Sequence, residues 1–133
     1  MGRRLILDTG VLVAAERGRI AVRDIIDADD DTALSVITVT ELLVGVLRAD
    51  DEQRAKRQAA LDRARAVFTV IDYTPPIAQS HAELLVHTRD VGLPRGSMDL
   101  IIAATARATG RTLVTLDRKA TFGDLPGVQA LEL

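Results

Sequence analysis

Short apolar runs without polar alternation recur along this chain, and segments of helix length separate them. The first run, Leu5–Leu7, contains no polar residue, which is the pattern of a strand buried on both faces. Further strands are predicted over Ala33–Ile37, Phe68–Ile71, Thr112–Leu116 and Val128–Leu131. Because a helix stands between most consecutive strands, right-handed crossovers and parallel strands are expected. The sequence therefore predicts an α/β protein, a three-layer α/β/α sandwich with a central parallel sheet of four or five strands.

Start and stop signals place the helices between these strands. They are expected over Val11–Arg17, around Val22–Ile26, from Thr38 to about Leu47, over Asp50–Ala66, from Pro75 to near Gly92, and from Ser97 to Gly110. Gly18 is the expected residue after the end of the first helix, and Ser97 is the expected cap of the last. No repeat or linker interrupts the chain, so residues 1–133 are expected to form one domain.

The composition argues against several classes of site. There is no cysteine, which excludes thiol nucleophiles, disulfides and cysteine-bound zinc or iron–sulfur centres. One tyrosine, two phenylalanines and no tryptophan argue against base stacking on exposed rings. The P-loop, Rossmann and Ser–His–Asp patterns are absent. No run reaches the length of a membrane span, and a cytoplasmic location is expected.

Four carboxylates fall where predicted strands end or predicted helices begin. Asp8 follows the first strand and Asp117 follows the fourth. Glu41 and Asp99 lie in the first turns of two helices. Because the carboxyl ends of parallel strands share one edge of a sheet, the four acids are expected to share a pocket. Their mutual repulsion would raise some pKa values unless a cation compensates, and ligation by oxygen alone suits Mg²⁺ or Mn²⁺.

Each acid also has a purely structural explanation. Glu41 stands three residues after Thr38, which is the spacing of a capping box. Asp99 would complement the dipole of its helix, and Asp117 fits an Asx turn. Asp8 would support the turn into the first helix. Taken one at a time, these explanations are the commoner ones; the four acids together favour a metal site.

The residues around these acids resemble those of the PIN-domain ribonucleases, and among them the VapC-type toxins of bacterial toxin–antitoxin pairs. The resemblance rests on four blocks in order, LILDTGVLVA, TELLVGV, GSMDLIIAATA and TLVTLDRKATFGDLPGV. It implies a PIN-like fold and a Mg²⁺-dependent endoribonuclease, with Mn²⁺ as a substitute, that leaves a 5′-phosphate and a 3′-hydroxyl. It also implies a homodimer, neutralised by a cognate VapB-like antitoxin whose C-terminal segment wraps the toxin near its active site.

The resemblance also implies the roles of individual residues. The catalytic and metal-binding set is Asp8, Glu41, Asp99 and Asp117, and the resemblance adds Thr115 as a supporting residue. Thr9 and Ser97 are expected to support the site for a different reason, because small neighbours of the acids leave room for a cavity. Asp8 and Asp99 are expected to make the closest metal contacts, and the sequence leaves open whether one ion or two bind. The chain departs from the family pattern at Gly10, where relatives often have Ser, Asn or Ala. It departs again at Asp117, where many have Asn, and it lacks an acid just before Phe122.

The charge balance is compatible with an RNA substrate. The formal net charge is −2, and setting aside the four negative charges of the proposed site leaves +2 for the rest of the chain. Arg supplies fifteen of the seventeen basic residues, and its planar fork suits phosphate. The expected RNA contacts are Arg17, Arg95, Arg118 and Lys119, although solvated surface charge explains each of them equally well.

Two other functions compete with the ribonuclease. One is a catalytically silent PIN module that only binds RNA or the antitoxin. The other is a receiver-like domain phosphorylated on Asp8, which would need a lysine from a later strand, and Lys119 is the only late lysine. Metal-dependent RNA cleavage separates the first from an enzyme, and acid-labile labelling of Asp8 would reveal the second.

Overall fold

A computed structural model describes residues 2–133 and contains one sheet of five parallel strands. The strands are β1 (Arg4–Leu7), β2 (Asp31–Ser35), β3 (Thr69–Ile71), β4 (Thr112–Thr115) and β5 (Ala130–Glu132). Their order across the sheet is β3-β2-β1-β4-β5. The chain thus builds outward from β1 to β3, then returns to add β4 and β5 on the other side of β1. This change of direction creates a switch point between β1 and β4, where parallel sheets bind ligands.

Five α-helices cover the sheet. They are α1 (Thr9–Glu16), α2 (Val36–Arg48), α3 (Asp51–Val67), α4 (Pro75–Asp90) and α5 (Ser97–Thr109). Single 3₁₀ turns lie at Val22–Asp24 and Phe122–Asp124. No helix within residues 2–133 combines the length and apolar character needed to cross a bilayer.

The side chains of β1 divide the core into two layers. Ile6 packs with residues of α4 and α5, such as Leu84 and Ile102. Its neighbours Leu5 and Leu7 belong to the opposite cluster, which includes residues of α1. Successive side chains of a strand point to opposite faces, so an unbroken apolar run requires cover on both sides. The predicted three-layer sandwich with its parallel sheet is confirmed.

The beginning of α2 differs from the prediction. The strand expected over Ala33–Ile37 ends at Ser35, whose hydroxyl accepts a hydrogen bond from the Ile37 amide at 3.1 Å and caps the helix. The helix therefore starts at Val36, and Thr38 lies within its first turn instead of opening it. Apolar β-branched residues around this boundary suit either element, and only the local cap decides between them.

Three smaller predictions also change. Gly96, not Ser97, occupies the N-cap position of α5, and no side chain caps that helix. The helix expected around Val22–Ile26 is a single 3₁₀ turn. The last strand runs over Ala130–Glu132, not Val128–Leu131, because the turn at Gly127, with φ +74°, ends with Val128 packed in the core.

Arg111 joins three strands at the edge of the sheet opposite to their carboxyl ends. It is 9% exposed, and its Nη1 lies 3.1 Å from the carbonyl oxygen of Leu5 and 2.7 Å from that of Asp31. Nη1 also lies 3.1 Å from Oδ1 of Asp31. The guanidinium thus satisfies carbonyl groups on β1 and β2 from the start of β4.

Replacing Arg111 by Ala is expected to lower the free energy of unfolding by about 2 kcal/mol, because buried carbonyl oxygens lose their donor. Arg4→Ala is the matched control, since Arg4 contacts the same Asp31 at 3.8 Å and its side chain is exposed. That control should cost less than about 1 kcal/mol. Urea unfolding measures both, and equal losses would contradict the structural role assigned to Arg111.

Candidate active site

All four predicted acids line one cavity of about 390 Å³, at the carboxyl ends of β1 and β4. The remaining lining residues come largely from α1 and the chain just after it: Thr9, Gly10, Val13, Ala14, Arg17, Arg19 and Leu116. Within residues 2–133, no Lys, Arg or His lies within 4.0 Å of any of the four carboxylates as an ion pair. Among the described residues, the four acids therefore share a space without a direct ion-pair partner, although Arg17 and Arg19 line the same cavity.

Asp8 is held by hydrogen bonds to both of its carboxylate oxygens. It occupies the N-cap position of α1, where Oδ1 accepts from the Thr9 amide at 2.9 Å. Its Oδ2 accepts from the Thr115 hydroxyl of β4 at 2.8 Å. Asp8 is only 8% exposed. The carboxylate that ends β1 is thus fixed in orientation by two neutral donors.

Thr115 also organises the turn that carries Asp117. Its Oγ1 accepts from the Asp117 amide at 3.0 Å while donating to Asp8. Asp117 Oδ1 in turn accepts from the Ala120 amide at 3.1 Å. The Asp117 side chain therefore supports its own turn, but through the amide three residues on and not the amide two residues on that defines an Asx turn, and it uses only one of its two carboxylate oxygens. A structural role and a place in the cavity coexist in this residue.

Glu41 is oriented from the neighbouring helix α1. Its Oε1 lies 2.7 Å from Oγ1 of Thr9, which itself lies 3.0 Å from Oγ1 of Thr38. Because α2 begins at Val36, Thr38 is not an N-cap, and the capping-box explanation of Glu41 is wrong. Glu41 is instead bound by the hydroxyl of Thr9, which also contacts the hydroxyl of Thr38.

The pKa values of two acids are raised. Burial is the main cause of the raised pKa of Asp8, and the negative charges of Asp99 and Glu41 add to it, against the hydrogen bonds that Asp8 accepts. Burial also raises the pKa of Asp99, and the charge of Asp117 adds to the effect, whereas Arg95 opposes it. The folded protein therefore concentrates negative charge at this site at an energetic cost.

The predicted supporting and RNA-contacting residues are only partly brought together. Thr9 and Thr115 contact the acids, whereas Ser97 does not line the cavity. Gly10 lines it with open space, since an added Cβ would meet no atom within 4 Å. A Cβ would therefore be accommodated at position 10 without a clash.

Of the predicted RNA contacts, Arg17 alone lines the cavity. Arg95 donates to the backbone oxygen of Thr121 at 3.3 Å, and Arg118 donates to that of Leu133 at the same distance. Lys119 is exposed and lies outside the cavity lining, which removes the lysine that a receiver-like site would need.

Arg19 lines the cavity and was missed by the sequence analysis. Gly18, with φ +73°, reverses the chain after α1, and the Arg19 amide bonds back to the carbonyl of Ala14 at 2.9 Å. The reversal returns Arg19 toward α1, at whose end Arg17 lies. The glycine expected after the end of α1 was the signal that would have indicated this.

A second group of acids lies in the loop before β2. Asp27, Asp29 and Asp30 place carboxylate oxygens within 4.8 Å of one another. Arg3 bonds Asp30 at 2.7 Å, and this contact holds the pKa of the Asp30 carboxyl far below its usual range. The loop therefore has a structural explanation in the ion pair between Asp30 and Arg3, which immediately precedes β1.

An apolar groove of about 420 Å³ adjoins the acidic cavity. It lies among α1, α2 and α3, and its apolar walls include Leu12, Leu42, Leu61, Ala64 and Phe68. Four residues line both the groove and the acidic cavity: Thr9, Val13, Arg17 and Glu41. An occupant of the groove would therefore lie directly beside the four acids.

The PIN-domain family model matches residues 5–127, a span that contains all four acids. The chain belongs to the PIN-domain family. This PIN domain is 31% identical to ribonuclease VapC1 of Rickettsia felis over 97% of its length and 93% of that protein. It is 33% identical to ribonuclease VapC5 of Mycobacterium tuberculosis over 96% of its length and 92% of that protein. The resemblance described from the sequence is confirmed.

Solved structures share the fold. The VapBC2 complex of Rickettsia felis bound to a promoter DNA fragment contains a chain that matches this PIN domain with a TM-score of 0.88 and 25% identity. The VapBC-5 complex of Mycobacterium tuberculosis matches with a TM-score of 0.81 and 27% identity. Both matches cover 98% of each chain. The PIN-like fold predicted from the sequence is thereby confirmed.

Replacing Asp99 by Asn is expected to stabilise the metal-free PIN domain at neutral pH, because it removes a carboxylate whose pKa is raised by folding. A raised pKa in the folded state means that the folded protein binds the proton more tightly than the unfolded chain does. Wild-type stability should therefore fall as the pH rises above the unfolded value of about 4 and through the raised pKa.

The stability advantage of Asp99→Asn should accordingly grow from about pH 4 upward and level off once the folded pKa is passed. Urea unfolding in the presence of EDTA, at several pH values between about 4 and 8, measures the difference. A difference that stays constant across this range would contradict the raised pKa of Asp99.

Proposed function

We propose that this PIN domain is a Mg²⁺-dependent endoribonuclease that hydrolyses RNA phosphodiester bonds at the acidic cavity, with Mn²⁺ as a substitute. The observation that carries the proposal is the convergence of four carboxylates from distant parts of the chain on one cavity, where none of them forms an ion pair within 4.0 Å among residues 2–133. The relatives that carry the name ribonuclease supply the class of reaction.

The donor set fits a hard divalent cation. It consists of carboxylates without His or Cys, which is the preference of Mg²⁺ and not of zinc. The pKa values of Asp8 and Asp99 are raised mainly by burial and further by neighbouring acids, and a bound cation would offset both effects. Within residues 2–133, no three of the four acids place oxygens within 4.8 Å of one another. This spread suits Mg²⁺, which takes one or two carboxylates directly and retains several waters.

We assign the closest metal contacts to Asp8 and Asp99, and Glu41 and Asp117 would complete the shell directly or through water. When bound, the ion would neutralise phosphate charge and lower the pKa of an attacking water. Thr115 and the Thr9 amide keep the Asp8 carboxylate oriented for this task. Glu41 and Asp117 are the acids left to accept the proton that the water loses.

The reaction breaks one phosphorus–oxygen bond of the RNA backbone. The water oxygen bonds to phosphorus, the 3′ oxygen leaves and takes up a proton, and the products carry a 5′-phosphate and a 3′-hydroxyl. Arg17 and Arg19 are exposed and line the cavity, where their guanidinium groups would bind the flanking phosphates. The RNA substrate also implies action in the cytoplasm.

Replacing Asp8 or Asp99 by Asn is expected to reduce cleavage at least about 100-fold, because each change removes a charged metal ligand. The measurement is cleavage of end-labelled RNA by the purified protein with Mg²⁺ or Mn²⁺. Asp90→Asn is the control, since Asp90 is exposed at the end of α4 and does not line the cavity. It should cleave at the wild-type rate.

The same assay tests the competing binding module. A wild-type protein that binds RNA but cuts none with either metal would establish the catalytically silent alternative. Full activity in Asp8→Asn or Asp99→Asn would instead show that cleavage does not take place at this cavity.

We also propose that a cognate VapB-like antitoxin neutralises the enzyme by covering the apolar groove. The matched solved structures carry the name VapBC, which denotes toxin–antitoxin assemblies. Since Glu41 and Arg17 line both the groove and the acidic cavity, a peptide segment in the groove would restrict access to the acids. A homodimer, implied by the family resemblance, remains a prediction that sedimentation of the purified protein tests.

Replacing Ala60 by Glu is expected to weaken antitoxin binding at least about 10-fold, because a long, negatively charged side chain would occupy the groove between Arg57 and Arg63, which also line it. Ala59→Glu is the matched control, since Ala59 is the preceding residue of α3, is exposed and does not line the groove. The dissociation constant for the cognate VapB-like antitoxin measures the effect. Equal affinity in both variants would place the antitoxin elsewhere.

A further inference from the structure

Thr38 is a fully buried hydroxyl residue close to the acidic cavity. It is 0% exposed and lies in α2, one turn before Glu41. Burying a hydroxyl without a hydrogen bond is unfavourable, so a threonine in this position needs a partner. That partner is Thr9 of α1, at 3.0 Å between the two Oγ1 atoms.

The protons of these residues determine the direction of the hydrogen bonds. An ionised Glu41 has no proton to give, so the contact of 2.7 Å between Oγ1 of Thr9 and Oε1 of Glu41 requires Thr9 to donate. A threonine hydroxyl carries a single proton, which this bond uses. Thr38 must then donate to Thr9, and the order of donation runs from Thr38 through Thr9 to Glu41.

Thr9 is also the donor that orients Glu41. Within residues 2–133, the Thr9 hydroxyl is the hydrogen-bond donor found on the Glu41 carboxylate. Without the Thr38 hydroxyl, the Thr9 oxygen would no longer accept a hydrogen bond from α2. The Thr9 hydroxyl would then be less restricted in its orientation toward Glu41. Hydrogen-bond partners behind a metal ligand typically change metal affinity by about 10- to 100-fold.

We propose that Thr38 is a positioning residue that directs the Thr9 hydroxyl onto Glu41 and thereby fixes this carboxylate at the acidic cavity. The inference deepens the proposed function, because it assigns to a buried residue outside the cavity lining a role in metal binding. It predicts that the hydroxyl of Thr38, not its size, is what the site requires.

The test compares Thr38→Val, which keeps the shape and removes the hydroxyl, with Thr38→Ser, which keeps the hydroxyl. Mn²⁺ affinity of the RNA-free, full-length protein is measured by electron paramagnetic resonance titration. Thr38→Val should weaken Mn²⁺ binding by about 10-fold and lower kcat for RNA cleavage, whereas Thr38→Ser should bind Mn²⁺ nearly as wild type does. Thr40→Val is the matched control, since Thr40 is exposed on the same helix and its hydroxyl donates to the backbone carbonyl of Val36, away from the acids.

The route through Thr9 is tested by a double-mutant cycle. Once Thr9 is replaced by Val, the additional change Thr38→Val should have no further effect on Mn²⁺ affinity. Fully additive losses, or wild-type Mn²⁺ affinity in Thr38→Val, would overturn the proposal.

A second readout separates this proposal from the proposed function. Crystal structures should show one conformer of Glu41 in wild type and Thr38→Ser, and a displaced or multiple one in Thr38→Val. Absence of RNA cleavage or of Mn²⁺ binding in wild type would refute the proposed enzyme, yet these structures would still decide the role of Thr38. An unchanged Glu41 in Thr38→Val would overturn it.

Discussion

The parallel pairing of β1 with β4 is the contact on which the acidic cavity depends. Its register aligns Leu7, the last residue of β1, with Val114 of β4. The residues that follow them, Asp8 and Thr115, therefore meet across the pair. A shift by one residue would turn the side chains of one strand to the opposite face. The hydrogen bond between Asp8 and Thr115 would then be lost, and with it the link to the Asp117 turn.

The two ends of this sheet perform different tasks. At the carboxyl edge, burial and the charges of neighbouring acids raise the pKa values of Asp8 and Asp99, so ionising these two groups costs free energy. At the opposite edge, Arg111 ties three strands together through hydrogen bonds to carbonyl oxygens. Between them lies an aliphatic core in two layers, which burial of apolar surface stabilises. The free energy lost at the site is thus offset elsewhere in the domain.

Neutral donors orient the carboxylates of the site. Thr115 and the Thr9 amide bind Asp8, and the Thr9 hydroxyl binds Glu41. An arginine in these positions would fix the same oxygens but would also neutralise their charge and lower their pKa values. Hydroxyl and amide groups give direction while leaving the negative charge for a metal ion. The acids of the cavity differ in this respect from Asp30, whose carboxylate is paired with Arg3.

The sequence by itself determined the layer architecture and the expectation that the four acids share one edge of the sheet. Unbroken apolar runs between helices require a parallel sheet with two covered faces, and the carboxyl ends of such strands share an edge. It also identified the family, because four motif blocks appear in order. These features depend on local pattern and on the general geometry of parallel sheets.

Only the tertiary structure decided how individual side chains are used. Thr38 has the spacing of a capping residue, but Ser35 caps α2, and burial against α1 pairs Thr38 with Thr9. Arg118 was predicted to contact RNA, but its guanidinium donates a hydrogen bond to the carbonyl oxygen of Leu133. Arg19, which was not predicted, lines the cavity. Each outcome depends on a residue distant in sequence or on a chain reversal. Local pattern carries no information about such contacts, because they form only when the sheet brings separate segments together.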